Sequence, residues 1–274
     1  MTPSFGVVII GDEILSGKRA DKHLAKAIEL LAERGLSLSY ASYVGDEPAR
    51  ITETLAHAFE AARRSGDVVF SFGGIGATPD DHTRQCAARA LGVELQLHPQ
   101  ARALITERMQ DVAREQGQPF EPDRPDNVHR LNMGVFPTGC DIIPNPYNKI
   151  PGFSCPAGAG AVHFLPGFPV MAWPMMAWVL DTHCAQHHRQ RTHQEKSVIV
   201  FGAMEASLTP LMEALEASHP GIRIFSLPSV DHPQYGRHIE LGVKGEAEAV
   251  ARAYPELLAG LRQRVLELGP ELVR

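Results

Sequence analysis

The stretch that decides the fold is VVFSFGGIGATPDDHT, Val68 to Thr83. Five residues suited to a buried strand run straight into Gly73, Gly74, Ile75 and Gly76, and a helical pattern follows. In an open α/β sheet, ligands bind beyond the carboxyl ends of strands, where loops lead into helices. Glycines permit close backbone approach, and the N-terminus of the next helix adds partial positive charge, so this loop suits a phosphate. Asp80 and Asp81 complicate that reading, because two carboxylates repel an anion. Two explanations stay open. One of the pair caps the helix expected from near Asp80 to Gly92, or the two hold a divalent cation, which takes one or two carboxylates together with phosphate oxygens.

The flanking sequence supplies the rest of an α/β unit. FGVVII (Phe5 to Ile10) is a continuous apolar run of the buried-strand kind, and DKHLAKAIELLAERG places Leu24, Ala27, Ile28 and Leu31 at helical spacing, with Gly35 as the stop. LSLSYASYV alternates with period two, and the next helix carries Ile51, Leu55, Phe59 and Ala62 on one face. Strands separated by helices of this length predict βαβ units and a parallel sheet. Asp12 and Glu13, at the end of the first strand, join the acidic loop if the two strands are neighbours. From Gln116 to Pro156 the pattern is irregular and proline-rich, with short strands expected at Asp141 to Ile143 and, beyond it, at Ala161 to Leu165.

After the polar stretch HCAQHHRQRTHQEK (His183 to Lys196) the pattern restarts. SVIVF reads as a strand, and the helix after it aligns Leu208, Leu211, Met212 and Leu215. GIRIFSL and RHIELGV make a hairpin around the turn in DHPQYGRH, and a helix from Glu246 to Leu268 bears Val250, Tyr254, Leu257, Leu261 and Val265. The expectation is an α/β fold with a doubly wound, mostly parallel sheet over residues 1–188. A smaller β-α-β-β-α domain occupies 189–274, with the boundary near Arg189.

Composition excludes several classes. The 274 residues carry a net charge of -6 and no run of Lys or Arg, so no nucleic-acid footprint is expected. The most apolar long window, Ala161 to Leu180, contains Pro166, Pro169 and Pro174, which argues against a membrane-spanning helix. Cys86, Cys140, Cys155 and Cys184 form no CxxC pair, so reduced thiols in a soluble cytoplasmic protein are expected. His183, His187, His188 and His193 have no acidic partner at ligand spacing, and read as part of a polar linker rather than a zinc site. The Met and Trp group from Met171 to Trp178 reads as a helix packed on the sheet or in a subunit interface.

GDEILSG (Gly11 to Gly17) with Asp21, VGDEPARI (Val44 to Ile51) and GGIGATPDDHT (Gly73 to Thr83), in that order, resemble the molybdopterin-binding MoaB/Mog family. The version most similar is the N-terminal region of CinA-type proteins, and the likeness continues through IPNPYNKIPGF, LPGFP and FSLPS. The resemblance implies a site for molybdopterin or a nucleotide, a Mg²⁺ or other divalent cation, and hydrolysis of ADP-ribose-like dinucleotides. Alternatives are a non-catalytic binding module, or adenylyl transfer to molybdopterin. Carried over by position, Gly73, Gly74, Gly76 and Thr78 line the phosphate site, and Lys149, where this chain departs from the family's pattern, adds a cation able to touch a phosphate. Asp80, Asp81 and Glu13 are the catalytic candidates, with Asp80, Asp81 and Asp12 as the metal set. The resemblance also implies a homodimer, and does not extend to the deamidase domain of CinA. One departure bears on catalysis: Met171 stands where many members have a glutamate.

Overall fold

The run at Phe5–Ile10 forms a strand, β1, buried along its whole length. It pairs in parallel with β2 (Leu38–Val44) on one side and β3 (Val68–Phe72) on the other. Both faces of β1 are covered, which is why the run is apolar without alternation: Val8 and Ile10 enter one core, and Phe5, Val7 and Ile9 the other. The computed structural model describes residues 3–188, 193–264 and 266–273, without the side chain of His193. Contacts divide the chain into two units, Met1–His188 and Arg189–Arg274. Arg189 and Val265, named above for the boundary and the last helix, lie outside the described residues.

In the first unit, β1 leads into a single helical turn, α1 (Asp12–Leu15), and then α2 (His23–Ala32). α3 (Pro48–Ser65) connects β2 to β3, and α4 (Thr83–Leu91) follows β3. A two-stranded antiparallel sheet of β4 (Leu95–Leu97) and β5 (Val135–Pro137) brackets α5 (Pro99–Glu115) and α6 (Pro125–Arg130). Three strands, β6 (Asp141–Ile143), β7 (Gly152–Ala157) and β8 (Gly160–Leu165), precede α7 (Pro169–His183). The main sheet has the order β2-β1-β3-β8-β7-β6. β2, β1, β3 and β8 run parallel, while β7 and β6 add as an antiparallel edge. Helices cover both faces, with α3, α4 and α5 contributing to one core and α2 and α7 to the other. The sheet is doubly wound and mostly parallel.

Three local expectations are corrected. The helix after β3 starts at Thr83, not near Asp80, with His82 at its N-cap and no side-chain cap, so neither aspartate caps it. On α2 the buried face is His23, Ala27, Leu30 and Leu31, and Ile28 is 48% exposed. The Met and Trp group lies, as expected, on a helix packed on the sheet: α7 carries Pro174 inside it and buries Ala172, Met175, Met176, Val179 and Leu180. Cys140 and Cys155 form a disulfide. They lie one step outside the Asp141↔Ser154 pair of the β6–β7 ladder, with Cα atoms 4.7 Å apart. Strand register makes this pairing, and linear spacing carries no trace of it. Cys86 and Cys184 are free and buried.

The second unit is an antiparallel sheet of order β10-β11-β9-β12, built from β9 (His193–Phe201), β10 (Ile222–His232), β11 (Gly236–Glu246) and β12 (Glu267–Val273). Its core joins Val198, Leu241 and Val243 to Leu208 and Leu215 of α8 (Glu205–Ser218). Val250, Leu257 and Leu261 of α9 (Ala247–Gln263) complete it. Here α9 ends five residues before the expected Leu268, and β12 is an additional strand. ELGPELV gives a weak strand signal because it holds Gly269 and Pro270. An edge position tolerates them, and the ladder to β9 shifts register between Leu268 and Glu271, where they sit. Among the described residues no helix is long and apolar enough to cross a membrane.

Candidate functional site

β2 and β3 leave β1 on opposite sides, so the loops after β1 and β3 part at a topological switch point. A cavity of about 480 Å³ lies there. Gly73, Gly74, Gly76, Thr78, Asp80, Asp81 and Glu13 all line it, so the structure brings these sequence-derived candidates together.

The loop from Gly73 to Thr83 is held by its carbonyls. Thr83 Oγ1 donates to Gly73 O at 3.1 Å and Thr83 N to Gly74 O at 3.0 Å. Arg84 donates through Nη1 to Ile75 O, and His129 Nε2 donates to Ala77 O at 2.8 Å. Asp81 Oδ2 accepts from Thr78 N at 2.8 Å and from Thr78 Oγ1 at 2.6 Å, closing the turn. With the carbonyls claimed, the N–H groups of Gly74, Ile75, Gly76 and Ala77 have no protein acceptor among the described residues. Successive free N–H groups in such a concavity make an anion nest. Gly73 is required twice over: its φ is 100°, and a Cβ there would collide with Ile10 O on the neighbouring strand.

Carboxylates face the nest. Side-chain hydrogen bonding from Thr78, helped by its own backbone, holds the Asp80 carboxyl below the usual range. Burial pulls the Arg84 guanidinium below its ordinary value, with the Asp81 charge opposing. Asp46 enters the cavity from the loop after β2 and is a site residue that sequence reasoning passed over, although VGDEPARI was recognised as a motif. Burial raises the Asp46 pKa, the Asp12 backbone hydrogen bond opposes, and the charges of Asp12, Glu13 and Asp80 raise it further. Arg19 was also missed. It lines the cavity, and its Nη1 lies 3.8 Å from Glu13 Oε1. The far wall comes from the loop after β6. Asn145 Nδ2 donates to Asn148 Oδ1 at 2.8 Å and to Ile150 O at 2.9 Å, and Asn148 Nδ2 donates to Met171 Sδ at 3.3 Å.

Two candidates fall elsewhere. Lys149 does not line the cavity. It adopts φ 64°, and its Nζ pairs with Glu107 at 2.7 Å and Asp111 at 2.5 Å on α5. Asp12 does not line it either, because its carboxylate is turned onto the backbone of Asp46. Among the described residues no three His, Cys, Asp or Glu side chains converge as a ready-made metal set. Of the linker histidines, the His183 ring lies 6.4 Å from His163 and His188 Nε2 donates to Leu180 O, while the side chain of His193 lies outside the described residues.

A glycine-rich anion nest with acidic loops at the switch point of a doubly wound sheet defines the class. Residues 6–185 match the family described as "Probable molybdopterin binding domain", and the chain belongs to that family. Among individual proteins it is similar to the CinA-like protein of Geobacter metallireducens, 31% identical over 93% of this chain and 58% of that one. It is also similar to a protein of Pyrobaculum arsenaticum, 28% identical over 96% of this chain and 93% of that one. In structure it resembles CinA of Thermoplasma acidophilum, with a TM-score of 0.54 and 28% identity over 66% of this chain and 97% of that one. The chain spans less than two thirds of the length of the bacterial CinA-like relatives.

Proposed function

We propose that the first unit binds a phosphorylated pterin or nucleotide with a divalent cation and hydrolyses the pyrophosphate of ADP-ribose-like dinucleotides. The observation that carries this reading is the row of unclaimed N–H groups from Gly74 to Ala77 facing Asp46, Asp80, Asp81 and Glu13. The N–H row orients a phosphate and stabilises charge developing on it. The carboxylates suit a hard cation whose remaining ligands are phosphate oxygens and water. When bound, that cation would neutralise the diphosphate. Asp81 is held in place by Thr78, and Asp80 stays ionised, so either can accept a proton from an attacking water.

A second reading, binding without turnover, is favoured by Met171, which lines the cavity at the position where the resemblance to CinA-type sequences implies a glutamate. One assay separates the two. The purified protein is incubated with ADP-ribose, FAD and related dinucleotides, with and without Mg²⁺, Mn²⁺ or Co²⁺. Mononucleotide products that depend on the metal are expected; binding with no product under any metal would leave the non-catalytic module.

A further inference from the structure

A separate cavity of about 420 Å³ lies against the Thr78–Asp81 turn. It shares Ala77, Thr78 and Asp81 with the main cavity, and its other walls come from different elements: the start of α4, Leu95 of β4, Val135 of β5, and His129 and Asn132. The Gly73–Gly76 nest takes no part in it.

Arg84 lines this cavity although it is only 4% exposed. A guanidinium carries five N–H donors, and among the described residues the one hydrogen bond Arg84 makes is from Nη1 to Ile75 O. Burial works against its charge, and the Asp81 carboxylate opposes that loss. Asp81 Oδ2 is itself engaged by Thr78 N and Thr78 Oγ1, so it does not fill the guanidinium's remaining donors. A buried cation with open donors is costly unless an acceptor meets it.

The rest of the wall adds to the same demand. α4 begins at this cavity with no side-chain cap, and the N–H groups of Arg84 and Gln85 in its first turn have no acceptor among the described residues. Such a turn carries partial positive charge. The side chains of His82 and Gln85 make no hydrogen bond among the described residues, and His129 is turned to Ala77 O. A cation does not suit these walls, because Asp81 is the one carboxylate among the lining residues and Arg84 repels positive charge.

We propose that this cavity binds a small oxyanion, held by the Arg84 guanidinium with the open first turn of α4 and the His82 ring beside it. The site is distinct from the nest, and it stands whether or not the nest binds phosphate.

Arg84 also supports the nest through Ile75 O, so the diagnostic variant is Gln85→Glu. Gln85 is exposed, and a glutamate in the first turn of a helix is well tolerated while it sets a negative charge on the cavity wall. His82→Asp, which places a capping residue and a charge at the N-cap, repeats the test from a second position. Sulfate, phosphate and acetate are titrated against the full chain at constant ionic strength, and the NMR signals of Arg84 Nε–H and the Gly76 backbone N–H are followed. In the wild type the Arg84 signal is expected to move saturably with sulfate and phosphate. Both variants are expected to bind about tenfold more weakly by that signal, with their melting temperatures not lowered and their Gly76 response unchanged. An acetate response that weakens in the same way extends the class to carboxylates. If the Arg84 signal does not move in the wild type, or moves equally in both variants, the cavity holds no anion and the inference fails, whatever Gly76 reports of the nest.

Discussion

Asp12 and Asp46 hold each other by the backbone: Asp12 Oδ1 accepts from Asp46 N at 3.1 Å, and Asp46 Oδ2 accepts from Asp12 N at 2.9 Å. This reciprocal pair ties the loop after β1 to the loop after β2 and decides which carboxylate reaches the cavity. Asp46 lines it and Asp12 does not.

Asp46→Asn keeps an acceptor for Asp12 N and removes one of several crowded negative charges. The folded-state pKa of Asp46 is raised above 3.8, so the folded protein holds its proton to higher pH than the unfolded chain. The stability this contributes is present below 3.8 and is lost as pH rises through the raised value. The variant is therefore expected to melt above the wild type at pH 7 without ligand, with the gap closing as pH falls towards 3.8. Melting temperature against pH for both proteins checks this.

Asp81→Asn and Asp81→Ala separate charge from structure. The amide oxygen still accepts from Thr78, so the asparagine variant is expected to fold normally and to lose about 10²-fold or more in metal-dependent turnover. Alanine leaves the Thr78 donors without their acceptor, and is expected to loosen the loop as well, at a cost of about 1 kcal/mol. Turnover and thermal melts, measured together, distinguish the two.

Lys149→Met is expected to leave ligand affinity unchanged, because Nζ is engaged by Glu107 and Asp111. A loss of phosphate affinity in titration would put Lys149 in the site after all.

His163 on β8 is 3% exposed, and burial, reinforced by the charge of His183, pushes its pKa down to about 3. Ser154 donates to its Nδ1 at 2.6 Å. A depressed folded-state value means stability is fully present above the ordinary 6.5 and is lost as pH falls towards about 3, by up to about 1.4 kcal/mol per pH unit. His163→Gln, which still accepts from Ser154, is expected to flatten denaturation free energies across that window.

Reducing the Cys140–Cys155 disulfide is expected to lower stability by about 3 kcal/mol, from the loop-closure entropy of a cross-link 15 residues apart. Denaturant melts with and without a phosphine reductant test it; coincident curves would show that the cross-link contributes nothing.

Much of the site was legible because its residues follow a strand that cannot be mistaken. VVFSF is apolar on both faces, so its loop lies at a sheet end, and Gly73 to Asp81 inherit that position. Glu13 was legible for the same reason at the end of β1. What sequence could not supply was the direction of individual loop side chains. Lys149 points to α5 because its backbone adopts φ 64°, and Asp12 yields the cavity to Asp46 through hydrogen bonds between two loops 34 residues apart. Pattern reading also failed where proline is tolerated by context, on the edge strand at Pro270. The disulfide depends on register alone.

The pairing of β1 with β3 runs from Phe5↔Val68 to Ile9↔Phe72 without interruption, and the two site loops hang from its end. A slip of one residue would exchange the faces of β3 and carry Gly73 away from Ile10 O, the close approach that only glycine allows. Under the proposed function, phosphate titration therefore doubles as an assay of folding fidelity: the fraction of a preparation that titrates would measure the fraction whose central ladder has formed in register.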